Sequence, residues 1–220
     1  MFELRIDDSF RDKGIPFGVL EVQYPDKSQW RIEDFEALKE QDLAVLKESF
    51  ADYDRKEVFG ENPFNRYFKK YKKTYPVLQQ LESVLLKGRE FPSGNPVNEV
   101  AFLTELRKQI LAGSHDIDRI MGPLELFCPN EKIPYPGMRG VEVHTYPGDC
   151  TCRDDGGIIA GMIAGADERT CLRPNSTHVA YLFFGAPGVT EDQIVDSQKL
   201  MENYVKVLAP AAETRIILAK

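Results

Sequence analysis

The chain has 220 residues, 42% of them apolar and 29% charged, the composition of a folded globular protein and not of a disordered or collagen-like one. With 28 Lys plus Arg against 35 Asp plus Glu, the net charge is -7, which excludes a global attraction to nucleic acid or anionic lipid and confines any such contact to a local patch. No run approaches the roughly 18 apolar residues of a membrane span, and no apolar signal-peptide region opens the chain, so cytoplasmic residence with no membrane partner is expected.

"FELRI" and "FGVLEVQY" alternate apolar and polar residues on either side of the Gly14 to Pro16 break, which predicts two strands paired as a hairpin or at a sheet edge. From Arg31 to about Ala51, apolar residues recur at helical spacing, the pattern of a long amphipathic helix. Two proline-initiated helices follow, Pro63 to Lys73 and Pro76 to Leu86, the latter stopped by Gly88. The corner "KGREFPSGNPVNEV" then separates that helix from another written in "VNEVAFLTELRKQIL". In the second half "PLELFC", "RGVEVHTY", "GGIIAGMIAG" and "HVAYLFFGA" read as short strands between Gly, Pro, Asn and Asp turns. Thr190 caps a final long helix, and "TRIILA" is a last strand. The sum is an α+β fold, helices packed on a mixed or mostly antiparallel sheet. Residues 1–60 form the expected N-terminal hairpin-and-helix extension and 61–220 the main domain.

Four segments carry candidate chemistry. In "FNRYFKKYKK", Arg66, Lys69, Lys70, Lys72 and Lys73 alternate with aromatics; the stripe reads as a phosphate-contacting surface or as a solvated face whose rings turn to the core. "GSHDIDRIMG" sets His115, Asp116, Asp118 and Arg119 among glycines, either to position a water or to cap a turn. Arg169 could bind a phosphate or carboxylate in bidentate fashion and Thr170 a carbonyl or ribose, unless Arg169 is tied to Asp167 or Glu168. Cys150 and Cys152 have one residue between them, short of zinc-knuckle spacing, so neither a metal nor any other cofactor is expected. Dinucleotide, phosphate-loop and serine-elbow motifs are lacking.

"YPVLQQLESVLLKGREFPSGNPVNEVAFLTELRKQILAGSHDIDRIMGPLEL", followed by "ERTCLRPNSTHVAYLFFGAPG" and a closing helix, resembles the B3/B4 domain of the phenylalanyl-tRNA synthetase beta chain, and most of all the freestanding proteins built from it. The similarity spans about Phe64 to Leu208, through "NPV", "HDIDRIMG" and "ERT". That resemblance implies a B3/B4-like fold that binds the aminoacylated end of tRNA, with no DNA partner, and that hydrolyses mischarged aminoacyl-tRNA in trans. The alternative is a non-catalytic module for tRNA or an amino-acid-like ligand. The implied substrate-binding residues are Asn95, Pro96, Asn98, His115, Asp116, Arg169 and Thr170, with the basic stripe on tRNA and no catalytic residue assigned. The family's polar pocket positions fall on Ala101, Phe102, Gly113 and Leu182, so a small apolar amino acid fits better than tyrosine.

Overall fold

A computed structural model describes residues 3–219; Phe2, the first apolar position of the expected opening strand, lies outside them. Strands β1 (Leu4–Ile6) and β2 (Phe17–Gln23) flank the short helix α1 (Asp8–Arg11). Five helices follow: α2 (Ile32–Ser49), α3 (Arg55–Phe59), α4 (Pro63–Lys70), α5 (Pro76–Leu81) and α6 (Pro96–Lys108). The β-rich half runs through β3 (Leu111–Asp116), β4 (Leu124–Phe127), β5 (Pro134–Pro136), β6 (Glu142–His144), β7 (Thr151–Asp154), β8 (Gly157–Gly161), β9 (Gly165–Ala166) and β10 (His178–Phe184). Helix α7 (Glu191–Leu208) and β11 (Glu213–Ala219) complete the described chain.

One sheet has the order β1-β4-β7-β8-β9, a second β11-β2-β10-β3, and β5 and β6 form a separate ribbon. Only the β1–β4 pairing is parallel among those described, which makes the α+β architecture mixed in one sheet and antiparallel in the other. The hairpin expected within residues 1–60 does not form: β1 joins β4 while β2 lies between β10 and β11. Alternation marks both segments as strands but carries no record of their partners, and the buried run Phe17 to Leu20 suits an interior position.

The two faces of the four-stranded sheet are distinct. Toward the helices, the Tyr181 hydroxyl donates to the Val97 carbonyl at 2.9 Å and meets the Tyr24 hydroxyl at 2.6 Å. On the opposite face the Phe17 and Phe184 rings meet edge-on at 5.3 Å, and Phe10 of α1 closes on Phe17 at 6.4 Å. Gly18 faces α7 so closely that a Cβ there would stand 2.5 Å from Ile194 Cγ2 and 2.8 Å from Gln198 Nε2. Gln198 is itself fixed by donating to the Ile217 carbonyl at 3.0 Å. Gly18→Ala is therefore expected to destabilise by about 1–3 kcal/mol through overpacking; a urea midpoint matching the parent's would show that α7 moves aside freely.

Helix ends follow local chemistry. Asn62 caps α4 and Pro63 takes its first position; the helix stops at Lys70, short of the expected Lys73, because Lys72 turns left-handed at φ 58°. The helix from Pro76 relaxes into a π-helical turn over Glu82–Leu86, which carries Glu82 to Arg55 and Tyr53, at 2.5–2.9 Å. Thr190 and Gln193 form a reciprocal capping box on α7. α6 ends at Lys108, short of the Leu111 at which the helical pattern closes, because Gln109 turns left-handed at φ 52°; Leu111 instead opens β3, whose ladder to β10 is intact from Leu111 to Asp116.

The sequence's constrained corner finds its anchor in α2. Glu99, buried one turn into α6, accepts the Gly94 N–H at 2.9 Å through Oε1 and binds Lys39 Nζ at 2.5 Å through Oε2. Lys39 also holds Glu36 at 2.7 Å and lies 5.4 Å from the centroid of the Phe91 ring. Phe91 in turn packs edge-on against Phe102 at 4.9 Å. A buried carboxylate thus fixes the backbone immediately before α6 and ties it to the N-terminal third of the chain.

Candidate functional site

β3 is an edge strand, and the loop after β9 folds back onto its far end. There Asp116 N–H donates to the Thr170 carbonyl at 2.8 Å, and His115 Nδ1 meets Thr170 Oγ1 at 2.7 Å. Thr170 sends its hydroxyl proton to Asp167 Oδ1, which also accepts the Thr170 N–H at 3.1 Å. Asp167 is pinned by its own N–H to the Ile159 carbonyl of β8 at 2.8 Å. With the hydroxyl proton committed to the carboxylate, Thr170 Oγ1 accepts from Nδ1–H, and Nε2 of His115 becomes the acceptor nitrogen. Burial, reinforced by the Arg169 charge, pushes His115 down to about 4, so the ring is neutral near pH 7. His115 Nε2 has no hydrogen-bond partner among the described residues.

The remaining polar groups of this junction are engaged with one another. Arg169 grips Asp154 with both terminal nitrogens at 2.7 and 2.9 Å, donates to the Arg119 carbonyl at 2.7 Å and holds Asp167 at 3.7 Å. The tie to Asp167 that the sequence offered as one alternative is present, but Asp154 is the nearer, bidentate partner. Asp116 caps the following turn through Asp118 N–H at 3.1 Å, accepts the Ser176 hydroxyl at 2.5 Å and lies 3.5 Å from Arg119. In the sequence Asp154 and Ser176 read as turn residues with no place in the site, and Asp167 as a partner for Arg169 alone. The i,i+3 spacing of Asp167 and Thr170 was the available signal.

His115, Asp116, Arg169 and Thr170 thus come together, whereas Asn95, Pro96 and Asn98 do not join them. Asn95 caps α6 by accepting the Val97 N–H at 3.2 Å, Pro96 occupies the first helical position, and Asn98 is exposed. The start of α6 touches the Tyr181 face of β10 while His115 lies on the Phe184 face, so the sheet separates the two groups. Gly113 and Leu182 are direct register partners. Ala101 is buried in α6 and Phe102 is half-buried against Phe91.

The basic stripe divides by face. Tyr67 and Phe68 are buried, and Arg66, Lys69, Lys70, Lys72 and Lys73 are exposed. Arg66 pairs with Glu61 at 2.8 Å. Lys69 and Lys73 line a cavity of about 520 Å3 with Arg55, Lys56 and Thr74, and Lys73 also borders a hollow of about 310 Å3 with Lys132, His144 and Tyr146. Between them the Tyr71 and Tyr146 rings meet edge-on at 5.7 Å, with Lys70 5.3 Å from the first centroid and Lys73 5.8 Å from the second. Cations beside half-exposed rings can meet phosphates and stacked bases.

Behind this surface Asp149 is fully buried, accepting the Tyr67 hydroxyl at 2.8 Å and the Ile163 N–H at 2.9 Å. Burial pushes it up to about 7. Burial likewise pushes up the free thiols of Cys150 and Cys152, which makes them poor nucleophiles and poor ligands. Among the described residues no group of three or more His, Cys, Asp or Glu is arranged to hold a metal ion, and no helix is long and apolar enough to cross a membrane.

No protein-family model and no curated protein matches the chain. Among solved structures, the chain is similar to the crystal structure of an N-terminal fragment of the phenylalanyl-tRNA synthetase beta subunit from Pyrococcus horikoshii. Identity is 10%, and the TM-score is 0.48 over 100% of this chain and 54% of that one. The chain therefore spans about half the length of that fragment.

Proposed function

We propose that the chain binds the aminoacylated end of tRNA and hydrolyses a mischarged amino acid from it. The observation supporting this reading is the meeting of the two segments that carry the B3/B4 resemblance, "SHDIDR" and "ERT", at the His115–Thr170 contact of 2.7 Å. The exposed lysines of α4 and the turn after it supply a local route for phosphate in a chain of net charge -7. On this reading Asn95, Pro96 and Asn98 shape the approach to α6 while Arg169 and Asp116 hold the junction rigid. The apolar pair Gly113 and Leu182 favours a second reading, a binding module that kept the fold without the chemistry.

The purified chain is to be tested against a panel of correctly and wrongly charged tRNAs. Selective release of one mischarged amino acid is the expected result, and uniform inactivity of folded protein would transfer the reading to the binding module. Neutralising Lys69, Lys70, Lys72 and Lys73 to Gln together is expected to weaken tRNA binding by about an order of magnitude or more and to flatten its salt dependence. Unchanged affinity would assign these lysines to solubility alone.

A further inference from the structure

The surface beside α4 concentrates positive charge that the chain as a whole does not carry. The hollow of about 520 Å3 is lined by Arg55, Lys56, Lys69 and Lys73 against one carboxylate, Asp54, in a chain where acids outnumber cations by 35 to 28. Asp54 is committed to capping α3, its Oδ1 accepting the Lys56 and Glu57 N–H groups at 2.7 and 2.9 Å. Arg55 is held by Glu82, but among the described residues Lys56, Lys69 and Lys73 pair with no carboxylate. The left-handed Lys72 builds this arrangement. With the Lys73 N–H donating to the Phe68 carbonyl at 3.0 Å and the Lys72 N–H to the Lys69 carbonyl at 2.9 Å, α4 closes in a Schellman turn whose usual glycine is a lysine. The reversal returns Lys73 and Thr74 to the hollow that Lys69 lines.

Lys73 also borders the hollow of about 310 Å3, whose walls are unlike those of the first. Val143, Tyr146, Ile163 and Ala164 are half-buried there, Lys132 supplies an exposed cation, and no carboxylate lines it among the described residues. Lys73 Nζ stands 5.8 Å from the centroid of the Tyr146 ring, so a single side chain links the two hollows. A strongly hydrated phosphate gains nothing from the apolar wall of the smaller hollow, whereas a planar base has a face that stacks on an aromatic ring. The larger hollow offers the reverse, cations and the Thr74 hydroxyl. Both volumes fall in the range of roughly 300–1,000 Å3 typical of small-ligand sites.

We propose that the two hollows form one site for a nucleoside phosphate, its phosphate held by Lys56, Lys69 and Lys73 in the larger and its base stacked on Tyr146 in the smaller. This deepens the tRNA-binding reading above and rests on it for the source of the ligand. Contact extends beyond the α4 stripe to Lys56 of α3 and to Lys132, which takes the next phosphate when the nucleotide belongs to an RNA strand. Only a base that is unpaired and free to stack fits, as at a single-stranded RNA end; a free mononucleotide carries the same chemistry. Because Lys56, Lys69 and Lys73 have no carboxylate partner among the described residues, each phosphate contact forms without breaking an ion pair within the chain.

The test titrates the full chain with inorganic phosphate, AMP, a fluorescent single-stranded RNA trinucleotide and intact tRNA at several salt concentrations. Tyr146→Leu is expected to weaken nucleotide binding about 5- to 100-fold, the worth of one stacked base, and Tyr146→Phe, which keeps the ring, to retain it. Lys56 and Lys132 are exposed and lie outside the α4 stripe. Lys56→Gln is expected to reduce the slope of log affinity against log salt by about 0.7 with either nucleotide, and Lys132→Gln to do so with the trinucleotide, a change that a merely structural lysine would not produce. Trinucleotide bound well above AMP assigns the site to an RNA end, and equal affinities assign it to a free nucleotide. Inorganic phosphate bound as tightly as AMP, or parental affinities in folded Tyr146→Leu and Lys56→Gln, would overturn the site; tRNA binding that still depends on the α4 lysines would then leave the reading above standing. AMP bound by a chain that ignores tRNA would uphold the site and overturn that reading, and a folded chain that binds none of the four would overturn both.

Discussion

Glu99→Ala is expected to destabilise the protein by about 3–5 kcal/mol, because it leaves the Lys39 ammonium buried with one of its two carboxylates gone. Glu36 remains as a partner but is partly exposed and lies on the same helix as Lys39, so it offsets the loss only in part. The same substitution strands the Gly94 N–H and frees the backbone before α6. Replacing both partners by apolar residues, Lys39→Met with Glu99→Leu, is expected to recover most of the loss. The residual is about 1–3 kcal/mol for the unmet Gly94 donor. A double-mutant cycle in urea measures this, and additive single effects would show that the pair is uncoupled.

Stability is expected to fall as pH rises from 5 to 9, against the usual behaviour of carboxylates. Glu105 is buried, accepts the Ala112 N–H at 3.0 Å and is pushed up to about 8 by burial. In the folded state it keeps its proton over a range where the unfolded chain has released it, so its stabilising contribution is full below about pH 4.5 and is lost as pH rises to about 8. The loss is on the order of 4 kcal/mol between pH 5 and 9, and Asp149, pushed up to about 7, acts in the same direction at lower pH. His115 works oppositely: held near 4, it favours the fold above its unfolded value and opposes it as pH falls through 6.5 toward 4. Together these groups place maximum stability on the acid side of neutral. Urea midpoints across this range should decline in the parent and flatten in Glu105→Gln; a parent curve that rises with pH would contradict the burial argument.

The α+β class, the long helices α2 and α7 and the strand β10 were legible because each carries a strong local pattern: apolar spacing, the Thr190 cap, the run "HVAYLFF". β3 was not, since "LAGSHD" contains a glycine and polar residues and is a strand only because β10 pairs with it. The partner of β2 was equally hidden, as no local signal records which distant strand completes a ladder. His115 and Thr170 were singled out through their segments, yet the relay they form depends on a loop more than 50 residues away folding onto an edge strand. Glu99, Glu105 and Asp149 look in sequence like ordinary surface acids of a charged chain; only packing shows that they are buried.

The interior position of β2 has a consequence in time. Each of its residues pairs with residues more than 150 positions later, in β10 and then β11. At about 5–20 residues per second of synthesis, the apolar segment "FGVLEVQ" waits roughly 10–30 s before its first ladder partner exists. Such distant pairing makes closure of the four-stranded sheet a late and slow event. Until then the most buried strand of the N-terminal third is the one most exposed to mispairing and to capture by chaperones.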